Sequence, residues 1–307
     1  IWYGDHCLRM AEANERREKR LPIDRLAAEQ RPDLPAVAEQ PPLPTCMVLR
    51  DIQYSIMRSG PKYDCNLVAG LKGARPPFTH HNQFDAGSIW IHVKGERLLI
   101  DPGYHKGQAT DHCLPLIGGR GPIREGFVSQ IIACEEGKGW RHLAADSTPA
   151  YEGAAERVRR HLIMLGRHTL VIVDDIVAAE EVCVQSQCGG PTKRVGDHAF
   201  RVVGKKTALR ITFLDEQGEP ELRDERPLTD THFGYNFADC RLFPVHYRYR
   251  PAPGTAAVCM IQQVGASPAA VAEREGCAWV FSMSEFPLLR LKPDRSGTVC
   301  EFGECPE

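Results

Sequence analysis

An all-β fold, a large antiparallel two-sheet β-sandwich preceded by a short helix and a proline-rich linker, is what the sequence predicts, on three observations. After Thr45 the apolar residues come in short runs rich in β-branched and aromatic side chains, each bounded by Gly, Pro or Asp. No amphipathic helical stretch of crossover length separates those runs, so neighbouring strands pair antiparallel. At 307 residues the chain is long enough to bury a substantial core between two stacked sheets.

In chain order, "WYGDHCLRMAEANERREKR" (2–20) reads as a helix with Tyr3, Cys7, Met10 and Ala11 on one stripe and charge elsewhere. So narrow an apolar face cannot support a domain, and the helix is expected to dock on a helical domain preceding Ile1. Because Ile1 follows no signal-like pattern, the chain is expected to be a processed product or to begin inside a longer gene. Six prolines between Pro22 and Pro44 then make 21–44 an interdomain linker, extended in its latter half. The β domain is expected over 45–307, with strands at 47–57, 64–70, 87–94, 97–101, 127–134, 157–164, 168–178, 181–187, 198–203, 206–214, 256–263 and 277–283.

Lys plus Arg number 38 against 40 Asp plus Glu, so charge balance supports neither a nucleic-acid nor an anionic-membrane partner. The basic cluster from Arg157 to Arg160 is expected to be a solvated strand or helix edge. No apolar run approaches the ~20 residues needed to span a bilayer, and a soluble chain is expected. Twelve cysteines without a CxxC or zinc-finger spacing argue against a cysteine metal centre, and most are expected to be reduced core residues. There is no GxSxG elbow, no HExxH helix and no phosphate-binding glycine loop; "LIGGRGP" (116–122) reads as a tight hairpin.

The chemistry concentrates in "HHNQFDAGSIWIHVKGERLLIDPGY" (80–104). Ile89, Ile91 and Val93 alternate with Trp90, His92 and Lys94, the period of a strand with one buried face. A two-residue turn centred on Lys94–Gly95 would pair Val93 with Glu96 and set Asp101 opposite Ser88, bringing it towards 81–85. Pro102 and Gly103 end that strand, and His112 follows in "DHCLPLIGGRG". His81, Asp101 and His112, with Gln83 as an added amide oxygen, offer the imidazole and carboxylate ligands that suit Zn²⁺. The alternative is that Asp85 and Asp101 cap turns and the histidines line the rim of a sheet.

These residues resemble the C-terminal β-sandwich of the heparinase II/III-like polysaccharide lyases. That family shows His-x-His-x-Asp, a strand with small, Ser and aromatic residues, a glycine turn, an apolar strand ending in Asp-x-Gly, and later a histidine before a glycine-rich hairpin. Here His81, Asp85, Ser88, Gly95, Asp101, Gly103, His112 and Gly121 fall on those places. "VLRD…YSIMRSG" and "RRHLIMLGRHTLVIVDDIVA" are also similar, so the likeness covers about 45–180 well and the remainder by pattern.

The resemblance implies a two-part enzyme, an N-terminal (α/α) toroid followed by this sandwich, cleaving a uronate-containing acidic polysaccharide by β-elimination in the cleft between them. Residues 1–20 would then be a remnant of the toroid, a partner domain from the same gene product. His81 would be the sandwich's catalytic contribution, Gln83, Asp101 and His112 the metal set, and His80, Asp85 and Tyr104 supporting residues. Gln83 stands where the family has a second histidine, so zinc would rest on Asp101, His112 and a weaker amide oxygen, or recruit His81 or His80. A periplasmic or secreted location is implied as well. The alternative function is a non-catalytic carbohydrate-binding or structural sandwich module.

Overall fold

The computed structural model of the chain describes residues 42–303 except 63–64, 77–81, 102–107, 216, 228–240, 268 and 285. The expected helix at 2–20 and most of the linker lie outside the described residues. From Pro44 onward the chain forms one compact unit, and every strand pair among the described residues is antiparallel.

The first strands are β1 (Cys46–Leu49), β2 (Tyr54–Arg58), β3 (Leu67–Lys72), β4 (Ile89–Val93), β5 (Glu96–Leu99) and β6 (Pro115–Ile117). There follow β7 (Gln130–Gly137), β8 (Trp140–Asp146), β9 (Arg157–Leu165), β10 (Thr169–Val177) and β11 (Val182–Cys188). Next come β12 (Thr192–Gly196), β13 (Ala199–Val203), β14 (Ala208–Phe213), β15 (Glu219–Leu222), β16 (Arg226–Pro227), β17 (Arg241–Tyr249) and β18 (Ala257–Gln263). The last are β19 (Ala270–Glu275), β20 (Ala278–Met283), β21 (Phe286–Pro293) and β22 (Thr298–Phe302).

They form a first sheet in the order β1-β2-β3-β4-β5-β11-β17-β15, with β6 on β11 and β16 on β17, and a second in the order β12-β13-β14-β18-β10-β9-β8-β7. A third, β19-β20-β21-β22, adds a layer beyond the expected two. Strand parity shows how the layers stack. Leu162 and Met164 of β9 and Leu170 and Ile172 of β10 join Met57, Leu71, Ile91, Leu99 and Tyr247 in the core between the first and second sheets. Their alternates Ile163, Leu165, Val171 and Val173 pack with Phe281, Leu288, Leu289 and Leu291 of the third. Burial on both faces is why "HLIMLGRHTLVIV" is a nearly continuous apolar run rather than an alternating one.

Two expectations need correction. The single strand at 47–57 is a hairpin, β1 and β2, turned at Arg50–Gln53 with Gln53 at φ 51°. Ile52, which disguised the turn as strand, is 57% exposed. The basic cluster is not a solvated edge: Arg160 is buried and paired with Asp174, while Arg157 pairs with Asp175 and Arg159 with Asp146. The carboxylates lie on neighbouring strands, at distances that the local charge pattern does not encode.

Burial also sets an acid response. Burial, reinforced by His142 and Arg159, pushes His161 down to about 3, and burial with Arg248 and Arg223 pushes His246 down to about 4. Both folded values lie below the unfolded value of about 6.5, so the unfolded chain binds more protons as pH falls. Their contribution is fully present above pH 6.5 and is lost towards pH 3–4. The loss is up to ~1.4 kcal/mol per pH unit for His161 and less for the partly solvated His246. Urea melts at pH 7, 6 and 5 are expected to show falling midpoints; a midpoint constant over that range would contradict it.

Candidate functional site

The site is built at one end of the first sheet, where β3, the approach to β4, the exit of β5 and the approach to β6 meet. Lys94 and Gly95 form the expected turn, with φ 51° and 76°, and Val93 pairs with Glu96. A bulge between Ile91 and His92 then shifts the ladder by one residue, pairing Ile91 with Leu99. Even so, Ser88 Oγ donates to Asp101 Oδ2 (3.1 Å), joining the two strand ends as the hairpin geometry demands.

His112 follows a short 3₁₀ turn, Ala109–Asp111. Gln187 Nε2 donates to Thr110 O (3.0 Å), Gln185 Nε2 to Ala109 O (3.2 Å) and Arg226 Nη1 to Asp111 Oδ1 (2.8 Å), so the turn is pinned from β11 and β16. The hairpin at Gly118 and Gly119 closes through the Ile117–Arg120 bridge, with φ 56° and 76° at its glycines. It leaves Gly121 against Ala109, where a Cβ would collide with the alanine methyl. Gly121 thus belongs to the machinery that sets His112.

His112 is fully buried, and Asp85 and Asp101 nearly so. One ligand atom from each of Asp85, Asp101 and His112 lies within 4.8 Å of the others. His112 Nδ1 is 3.3 Å from Asp101 Oδ2, while Lys72 Nζ, at the end of β3, donates to Asp85 Oδ2. Burial pulls the His112 pKa down, but the Asp101 carboxylate, its hydrogen bond and Asp85 outweigh it and hold the value above normal.

Asp85, given a supporting place in the sequence, is therefore part of the convergent trio. Gln83 is largely buried, two residues before it in the chain. His80, His81 and Tyr104 lie outside the described residues.

The ligand types suit a hard or borderline cation: one imidazole and two carboxylates. Asp85 Oδ1 and His112 Nε2 are buried with no hydrogen-bond partner among the described residues, the condition that a bound ion relieves. A cation bound there would displace the proton from the His112 imidazole and face two carboxylates, one of them also hydrogen-bonded to Lys72. The residues therefore fit a divalent metal.

A residue that sequence reasoning missed holds this cluster in place. Arg160, reaching inward from β9 of the second sheet, donates through Nε to Asp174 Oδ1 (2.6 Å) and through Nη2 to Asp174 Oδ2 (3.3 Å). Its Nη1 donates to the carbonyls of Gly87 (2.8 Å) and Cys113 (2.6 Å). Those carbonyls lie two residues after Asp85 and one after His112, so a single guanidinium ties both cluster-bearing segments to the opposite layer. The cross-strand pairing of Arg160 with Asp174 was the available signal, since a hairpin turned at Gly166 sets them opposite.

No protein-family model matches the sequence, and no match is found among curated proteins. Solved structures do match. The heparan sulfate lyase of Pedobacter heparinus superposes with a TM-score of 0.65 at 13% identity, over 87% of this chain and 44% of that one. A heparinase III structure gives 0.64 at 11% identity, over 86% and 43%. The chain thus has a heparinase-like fold and spans less than half the length of these neighbours.

Proposed function

We propose that this chain is the C-terminal sandwich of a polysaccharide lyase that cleaves a uronate-containing acidic polysaccharide by β-elimination. The supporting observation is the heparinase-like fold with a buried Asp85–Asp101–His112 cluster at one end of its first sheet.

In such a reaction a base removes the C5 proton beside the uronate carboxylate. The C5–H electron pair becomes the C4–C5 double bond as the C4–O bond breaks, and the departing glycosidic oxygen takes up a proton. The C5 proton is weakly acidic, so the site must neutralise the carboxylate, stabilise the developing enolate and protonate the leaving oxygen. His81 supplies an imidazole to that site. An N-terminal (α/α) toroid of the same gene product supplies the remaining base and acid groups, and the polysaccharide lies between the two. Asp85, Asp101 and His112, with Gln83 beside them, would hold zinc, which would supply positive charge to fix the paired carboxylates. A periplasmic or extracellular location belongs to the same proposal, because polymeric substrates of this kind are met there.

The test is the absorbance rise of the unsaturated uronate product on a panel of alginate, heparan sulfate and related uronans. The 307-residue chain alone is expected to show no turnover, and the protein carrying its toroid to show it on at least one substrate. Turnover by the chain alone would mean that the base has been misassigned to the toroid.

A second reading is a non-catalytic carbohydrate-binding or structural module. It draws on Lys72, whose ammonium already satisfies one oxygen of Asp85 and could stand in for an ion. Saturable uronan binding by the toroid-containing protein with no turnover on any panel member would favour it.

A further inference from the structure

A second cluster lies on the opposite side of the molecule's middle layer. His142 of β8 and His161 of β9 are diagonal neighbours, since His142 pairs with Ile163 and Ala144 with His161. They lie on the face of the second sheet that the third sheet covers. Their rings stack 5.3 Å apart at 6°, and Cys300 descends on them from β22.

His142 Nε2 is 3.0 Å from His161 Nδ1, Cys300 Sγ is 3.8 Å from the same nitrogen, and one ligand atom of each residue lies within 4.8 Å of the others. We propose that His142, His161 and Cys300 form a zinc site that clamps the C-terminal four-stranded sheet to the sandwich.

The chemistry and the distances agree. Tetrahedral zinc with ordinary Zn–N and Zn–S bonds places its nitrogen ligands about 3.3 Å apart and nitrogen and sulfur about 3.6 Å apart, so the two separations from His161 Nδ1 need shifts of only a few tenths of an ångström, and the third pair already lies within 4.8 Å. His142 Nδ1 is 2.9 Å from Glu135 Oε1. That carboxylate fixes the proton on Nδ1, turns the Nε2 lone pair towards the cluster, and is the outer partner that a metal-bound histidine usually has.

Without metal, the contact between the rings is satisfied by a proton on His161 Nδ1, which leaves a lone pair on His161 Nε2. That atom is buried and has no hydrogen-bond partner among the described residues. With metal, Nδ1 becomes the ligand and the proton moves to Nε2. The thiol proton of Cys300 leaves to solvent as the Zn–S bond forms, which Cys300 permits because it is only half-buried. Phe302, stacked on Trp140 at 3.9 Å and tilted against His142, closes the apolar side. A soft thiolate with two imidazoles favours zinc over magnesium or calcium.

The inference is independent of any lyase activity. Cobalt(II) added to the metal-stripped 307-residue chain is expected to give a near-ultraviolet thiolate-to-cobalt charge-transfer band that saturates within two equivalents, one for each cluster, and is displaced by zinc. The band should vanish in Cys300→Ser and be lost or weakened in His161→Gln. It should persist in Asp101→Asn, because the Asp85–Asp101–His112 cluster contains no sulfur. Zinc is also expected to raise the unfolding midpoint of the parent chain by more than that of Cys300→Ser, which keeps the Asp85–Asp101–His112 cluster, and to raise that of Asp101→Asn through the sulfur-containing site alone. Absence of the band from the parent chain, or the same band in Cys300→Ser, would overturn the proposal.

Discussion

Replacing Arg160 with leucine is expected to lower folding stability by about 3–5 kcal/mol, the usual cost of removing one partner of a buried ion pair. Arg160 and Asp174 are each 2% exposed, so the abandoned carboxylate could not regain water. The same change strips the carbonyls of Gly87 and Cys113 of their shared donor, and buried acceptors left unpaired add to the loss. Arg160→Leu combined with Asp174→Leu should recover a large part of it, because the cost arises mainly from the uncompensated charge rather than from a large net value of the pair. Urea melts of the two single variants and the double variant measure this directly. Hydrogen exchange should also show faster opening of residues 108–117 in Arg160→Leu, since the turn before His112 loses its tie to the second sheet. A single-variant loss under about 1 kcal/mol would show that solvent reaches this pair.

His81→Ala, made in the protein that carries the toroid, is expected to reduce kcat by about 10²–10⁴-fold on the preferred uronan, the range for a positioned proton-transferring group. KM should change little, because a group engaged mainly in the transition state adds little to ground-state binding. His112→Ala is expected to act differently. It removes a fully buried ring and leaves Asp101 without that partner, so it should lower stability and activity together. The contrast separates a residue that meets substrate from one that holds the site. If the toroid-containing protein retained full turnover as His81→Ala, this domain would have no part in proton transfer.

What was legible in the sequence was local. The two-residue turn at Lys94–Gly95, the alternation of Ile89, Ile91 and Val93, the glycine hairpin at 118–119 and the ending of a strand near Asp101 each depend on residues a few positions apart. Backbone sterics and a period of two are enough to read them. Strands without a clean apolar alternation escaped: β12 is polar and largely exposed, β19 ("AVAERE") has the composition of a helix, and β17 carries Pro244 in its interior.

The sequence by itself determined an all-β chain and grouped Gln83, Asp101 and His112, with Asp85 in support, near one sheet end, because a hairpin brings Asp101 back towards 81–85 and His112 follows shortly after. Only the tertiary structure decided that a third sheet covers β9 and β10, that Arg160 crosses from one layer to anchor the segments carrying the cluster, and that Cys300 meets His142 and His161. Those contacts join residues up to 158 positions apart by numbering. No local periodicity encodes them, since they arise from the stacking of whole sheets, whose driving force is the burial of apolar faces and is indifferent to which polar side chains it brings together.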